Sequence, residues 1–223
     1  MKKFNFRLSS LLLVLMGCFT LSSCEKGDSY YENYENQIQV FNGNAYEYLE
    51  SQPGVYDSLL LVLDRLVPLR DTLKNEDVTL FALTNKSFEL AIQNLNNKRA
   101  AGNKAALSLE DLDRRGLDSV MCRYILKGDL QTDNVRELVD GIYLPSLKYG
   151  YEMHVQYDVL NASGFVSGGQ QQLIFTDPNE SIFERYWQRT PTNAVNIKTN
   201  NAVIHVLSPS HDFGFNKLGL SDQ

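Results

Sequence analysis

The sequence predicts an α+β domain in which N-terminal helices pack on a mostly antiparallel β-sheet, arranged as a wedge or sandwich. Three observations lead there. Up to about residue 139 the apolar residues recur at three- and four-residue steps, the period of a helix face; from Ile142 onward they alternate in short runs broken by Gly, Asn, Asp and Pro. Helices first and strands later is the order of an α+β chain. The third observation is the stretch VTLFALTNKSFELAI, Val78 to Ile92, whose period changes in the middle. Val78 to Leu83 is a short apolar run after the charged KNED, and Phe88, Ala91, Ile92 and Leu95 then follow with helical spacing. A buried strand turns straight into a helix, with Thr84 or Asn85 placed to accept from its first free N–H groups.

The chain opens with MKKFNFRLSSLLLVLMGCFTLSSC. Lys2, Lys3 and Arg7 precede an apolar segment that Gly17, Thr20 and Ser22 interrupt. That segment is shorter than the about 20 apolar residues a bilayer span needs, so residues 1–23 read as a secretory signal. LSSC, Leu21 to Cys24, is similar to the lipobox of bacterial lipoproteins, which implies a lipid on Cys24 and a protein anchored to the outer membrane, at the cell surface. LMGC, ending at Cys18, is a second candidate, but it would leave FTLSS at the lipid junction. Losing Lys2, Lys3 and Arg7 makes the formal charge of −6 still more negative. With no basic patch interleaved with aromatics, nucleic acid is excluded as a partner. Of the three cysteines, Cys122 alone stays free within the folded chain, in a helical pattern with Leu117, Val120, Met121, Tyr124 and Ile125. It reads as a packed thiol, and there is no disulfide framework.

Residues 24–37 read as a tether: EKGDSYYENYENQ is polar, carries three tyrosines and has no apolar period. Its acidity beside Cys24 resembles an export signal of surface lipoproteins, against the plainer alternative of a linker. The domain runs from 38 to 215 and a short tail from 216 to 223. Within it, Tyr56, Leu59, Leu60, Leu63, Leu66 and Val67 make one helical face that Pro68 closes. NNKRAAGNKAA reads as an exposed loop, and Ser108 with Asp111 as a cap pair opening a helix toward Ile125. KGDLQTDN makes a turn, and Val135, Leu138 and Val139 suggest one more short helix. IYLPSLKYG, YEMHVQYDVL, QQLIFTD, AVNIKTN and AVIHVLS are the expected strands. There is no internal repeat of useful length.

Three stretches together resemble the fasciclin-like domain family. TLFALTNKSF, Thr79 to Phe88, is similar to its first signature, near TVFAPTNEAF, and NAVIHVL, Asn201 to Leu207, to its second, near NGVIHVID. Between them RYILKGDL, Arg123 to Leu130, stands where the family carries YHVVPGKL. Both signatures occur in order over about Ile38 to Phe215, which makes the match more specific than either alone. The resemblance implies a fasciclin-like fold and a non-enzymatic role in adhesion or interaction. As a lipoprotein of Bacteroidota-type bacteria, such a chain is similar to accessory parts of glycan-uptake systems, which implies a polysaccharide ligand; a surface or host matrix protein is the alternative. Leu83 replaces the usual Pro, Ala202 the usual Gly, and Ile125 the His of the Tyr-His pair, so the adhesive role attached to that pair does not carry over to Tyr124.

The polar residues give little chemistry. His154 and His205 fall in alternating strands, where a partly buried imidazole is structural in most cases. SPSHD, Ser208 to Asp212, holds hydroxyl, imidazole and carboxylate in one loop, whereas a hydrolase triad is assembled by the fold from separate segments. DPNES at Asp177 imitates the start of an EF-hand, but Ile182 and Gln188 stand where Gly and Glu are needed, so no metal is expected. KGD at Lys127 reads as a plain turn, GGQ at Gly168 as a chance match, and Glu110, Asp111 and Asp113 as charges favouring a helix start. No catalytic residue and no cofactor is expected. The candidate ligand contact is in DPNESIFERYWQRTPTN, Asp177 to Asn193, between two strands and longer than the family pattern needs. There Trp187, the only tryptophan, stands with Phe183, Arg185, Tyr186 and Arg189. Exposed aromatics with arginine suit stacking on sugar rings or anchoring a protein interface. The alternative is a short helix packed on the sheet through Phe183, Tyr186 and Trp187.

Overall fold

The computed structural model describes residues 39–161 and 169–218. The expected signal at 1–23, Cys24, the tether at 24–37 and Gly168 lie outside the described residues. Among the described residues no helix is long and apolar enough to cross a membrane.

The helices come first. Helix α1, Ala45–Glu50, starts at a capping box: the Asn44 side chain accepts from Glu47 N, and the Glu47 carboxylate accepts from Asn44 N. Its six residues are too few to show a period, which is why the sequence did not announce it. Helix α2, Asp57–Arg65, buries Leu59 and Leu63 as expected and Val62 besides, whereas Leu60 is only partly buried and Val67, beyond the helix, is exposed. Pro68 does not close that face. The chain breaks at Leu66, and Pro68 sits in the first turn of helix α3, Val67–Asn75, where a missing N–H costs nothing. Strand β1, Val78–Ala82, is buried throughout and leads into helix α4, Asn85–Ala101. NNKRAA is therefore mostly the end of α4 and not a loop: its residues tolerate a helix, and Lys98 and Arg99 favour the helix C-terminus. Ser108 and Asp111 do pair, with Ser108 N and Oγ both 2.8 Å from the Asp111 carboxylate, but they close a turn ahead of the helix. Helix α5, Arg114–Met121, is capped by Asp113, which accepts from Gly116 N. A 3-10 turn over Cys122–Tyr124 delivers the chain to strand β2, Ile125–Lys127. Helix α6 is only Thr132–Val135; Leu138 and Val139, expected on it, are exposed beyond its end.

The strands follow: β3, Ile142–Pro145; β4, Glu152–Val159; β5, Gln171–Asp177; β6, Gln188–Lys198; β7, Ala202–Leu207. Strand β6 starts well before AVNIKTN, because Thr190 and Thr192 alternate inward with Arg189 and Pro191 outward. Gln188 to Asn193 thus belongs to the sheet and not to the connecting segment. Among the described residues the seven strands form one sheet in the order β2-β1-β7-β6-β5-β4-β3. The β1–β7 pair is parallel and the others antiparallel. The two edge strands approach each other, with Leu147 N donating to Ile125 O at 2.9 Å and a bridge between Leu126 and Ser146, so the sheet curls nearly to a barrel. Inside it Phe81 stacks on Phe175 at 4.0 Å, and Tyr124 lies against Phe213 and Phe215. Leu83 and Ile125, at positions where the fasciclin pattern has Pro and His, are fully buried. The architecture is α+β.

Candidate functional site

Strand register builds a row of side chains on the outer face of the sheet. Tyr143 pairs with His154, His154 with Thr176, and Thr176 with Arg189. Their strand neighbours Val155 and Phe175 point the other way, into the core. The connection between β5 and β6, residues 178–187, folds back over this row.

Its own bonds shape that loop. Asn179 N donates to Asp177 Oδ1 at 2.8 Å, Ser181 N to Pro178 O at 3.0 Å, and Phe183 N to Ser181 Oγ at 3.1 Å. A 3-10 turn at Glu184–Tyr186 follows, and the Trp187 indole N–H then donates to Ser181 O at 2.7 Å. Trp187 is half-buried: its ring lies 5.1 Å from His154 and 6.0 Å from Tyr143, while the Arg189 guanidinium sits over it at 5.1 Å and pairs with Glu184. Phe183 and Tyr186 turn the other way and are 54% and 52% exposed, with the Arg185 guanidinium 5.1 and 4.9 Å from their rings. Ile182 is 88% exposed beside them. The five expected residues therefore do share one place, but Trp187 packs inward against the sheet, and Phe183, Tyr186 and Arg185 are its surface. Tyr143, half exposed, joins the patch through strand pairing. Its outward position could be read from the alternation in IYLP; its neighbours could not.

The base of the loop is electrostatic. Asp177 is buried and ion-paired with Arg123 at 3.2 Å and Lys217 at 2.7 Å, so the first oxygen of the EF-hand-like DPNES already serves two cations. The histidines divide by partner. His205 donates from Nε2 to Leu130 O at 2.8 Å and accepts at Nδ1 from Asn196 N; burial pushes its pKa down to about 4. Asn196, at φ 59° in an irregular part of β6, also binds Thr132 N and Oγ1, so this network fixes the start of α6. His211 lies 2.8 Å from the Tyr124 hydroxyl, and burial lowers its pKa to about 3. Ser208 bonds to Ser210 and Asp212 accepts from Asn94, so hydroxyl, imidazole and carboxylate of SPSHD face three different partners. Cys122 is fully buried, its Sγ donates to Ser119 O, and burial pushes its pKa up to about 12, which suits a packed thiol. Tyr124 is fully buried too, accepting from Gly214 N. KGD forms the turn expected of it, with Gly128 at φ 83°.

His154 differs from the other two. Its Nε2–H donates to Asp140 O at 2.7 Å, while its Nδ1 and the neighbouring Thr176 Oγ1 have no hydrogen-bond partner. Gly141 makes the first contact possible. At φ 73° it turns the chain tightly, and a Cβ there would meet Val155 O at 2.5 Å and His154 Nε2 at 2.7 Å.

No family model matches the chain, and no curated protein does. Among solved structures it is similar to a FAS1 domain pair from the insect cell adhesion molecule Fasciclin I, with 14% identity and a TM-score of 0.48. The alignment covers 74% of this chain and 49% of that one, so the chain spans about half the length of the pair.

Proposed function

We propose that this chain is a non-enzymatic binding protein of adhesion type, held at the outer membrane by lipid on Cys24, whose ligand contact is the loop at 178–187. The observation that carries the reading is the outward placement of Phe183 and Tyr186 with the Arg185 guanidinium 5.1 and 4.9 Å from their rings, on a loop braced by its own hydrogen bonds. Aromatic rings offer large contact area at little entropic cost, and a guanidinium already stacked on them loses little freedom on binding. A braced loop on a sheet is also where a scaffold can carry function without disturbing its core.

The ligand in this reading is a polysaccharide captured at the cell surface, with planar rings meeting the C–H faces of sugars. A protein partner is the second reading, and Ile182 favours it: an 88% exposed aliphatic side chain adds apolar area that a sugar does not need. The test replaces Phe183 and Tyr186 together by Ala. Binding of the intact chain to polysaccharides or to purified surface proteins should fall by roughly 2 kcal/mol or more, with melting unchanged because neither ring is buried. A double variant that binds as the wild type does would place the contact elsewhere.

A further inference from the structure

Two polar atoms on the outer face of the sheet are buried without a hydrogen-bond partner: His154 Nδ1 and Thr176 Oγ1. His154 is 4% exposed and Thr176 fully buried. They are directly opposed in the β4–β5 register, so their Cβ atoms lie about 5 Å apart on one face. A buried donor or acceptor left unmet is destabilising, and valine in place of Thr176 would avoid the cost at the same shape. Two such atoms side by side, next to the loop proposed as the ligand contact, point to a group that satisfies both.

The chemistry of that group follows from the two atoms. Because Asp140 O can only accept, Nε2 of His154 carries a proton, and in the singly protonated ring Nδ1 offers a lone pair. The Thr176 hydroxyl can donate as well as accept. A single alcohol hydroxyl would satisfy both, giving its proton to Nδ1 and accepting the proton of Thr176. A carboxylate or carbonyl cannot donate to Nδ1, and an ammonium, though it could donate to both atoms, would meet the charge of the Arg189 guanidinium that lies 5.1 Å over the Trp187 ring. The walls are aromatic: the Tyr143 ring is 4.9 Å and the Trp187 ring 5.1 Å from the imidazole. A hydroxyl reaching down between rings that contact C–H groups is the signature of a sugar. The hydrogen bonds of Trp187, from Nε1 to Ser181 O and from its backbone N to Glu184 O, stay within its own loop, so admitting the group requires the loop to shift as a unit off His154 and Tyr143.

We infer that His154 and Thr176 form a hydroxyl-binding subsite for a saccharide, with Tyr143 and Trp187 as its walls. The inference rests on the reading of the 178–187 loop as the ligand contact, and it specifies the ligand class. Gly141 and Asp140 act as positioning residues, since they fix which imidazole nitrogen faces the subsite.

The experiment titrates the intact chain with neutral hexasaccharides of glucose, mannose, galactose or xylose and follows the imidazole nitrogens by long-range proton–nitrogen NMR. One hexasaccharide should move the His154 Nδ1 resonance and leave those of His205 and His211 in place. Thr176→Val should weaken its binding roughly tenfold or more without lowering the melting temperature, because the hydroxyl has no partner to lose in the free protein. A Thr176→Val variant that binds like wild type, or a His154 Nδ1 that responds to no hexasaccharide, overturns the subsite and leaves an ordered water only. Binding lost in the Phe183/Tyr186 double variant but kept in Thr176→Val overturns the subsite while the loop reading stands. Binding unchanged in both overturns the two together.

Discussion

At the residue scale, two asparagines within the fasciclin-like signature stretches act as clamps between elements. Asn85 begins α4 without capping it. Its Oδ1 accepts from Ser58 N at 2.8 Å and its Nδ2 donates to Gly54 O and Asp57 Oδ2, so it secures the start of α2 instead. Thr84 makes no side-chain cap bond, and its buried Oγ1 has no partner. Asn201 accepts from Ala45 N at 3.0 Å and donates to Leu73 O and Glu76 O at 3.1 and 2.9 Å, joining the start of α1 to the end of α3. The sequence located the corner at Asn85 by its change of hydrophobic period and the turn at Asn201 by the break between two alternating runs, both of which are local signals. It could not show their partners, which lie far along the chain. Asn201→Ala should strip three backbone groups of their partner and cost about 2 kcal/mol in urea unfolding, less whatever water restores. Asn201→Asp should cost at least as much, because a carboxylate cannot donate to Leu73 O and Glu76 O. An aspartate variant as stable as wild type would show that the clamp does not operate.

At the element scale, the legible parts were those with a strong period, and the illegible ones were too short or were polar stretches that either state accepts. Strand β1 falls where its spacing puts it, and α2 turns Leu59 and Leu63 inward as expected but buries Val62 more fully than Leu60; α1 has six residues and the end of α4 is polar. The most consequential element has no period at all. From Phe213 to Leu218 the chain buries Phe213, Phe215 and Leu218, then reaches both stems of the 178–187 loop. Lys217 pairs with Asp177 at the end of β5, and Asn216 Nδ2 donates to Gln188 Oε1 at the start of β6. The stretch is thus a strap that sets the spacing of the stems. Lys217→Met should leave Asp177 with Arg123 alone and cost about 1–2 kcal/mol, below the loss expected of a fully broken buried pair. Amide exchange at Asn179, Ser181 and Trp187 should accelerate more than at the β7 amides. Exchange that rises equally in both places would mean that the strap supports the fold and not the loop.

At the scale of the whole molecule, fold class was legible because helical and alternating periods occupy different halves of the chain. The candidate site was legible only as composition. Phe183, Arg185, Tyr186, Trp187 and Arg189 could be picked out, but Trp187 turns inward because β3 and β4 place Tyr143 and His154 beneath it. No local pattern records that pairing. Anchoring belongs to this scale as well. A formal charge of −6, more negative once Lys2, Lys3 and Arg7 are removed, gives the chain no attraction to an anionic membrane surface. In the proposed anchoring, retention at the membrane would come from acyl chains, each buried CH₂ contributing about 0.8 kcal/mol. In a Gram-negative host, Cys24→Ser should move the protein from the membrane pellet to the soluble fraction, and Cys18→Ser should leave it in the pellet. A high-salt wash should release neither wild type nor Cys18→Ser, since the hold is apolar and not ionic. The mass of the mature N-terminal peptide should show Cys24 carrying lipid. If Cys24→Ser stays in the pellet while Cys18→Ser is released, the anchor lies at LMGC, and the tether is longer by the six residues from Cys18 to Ser23.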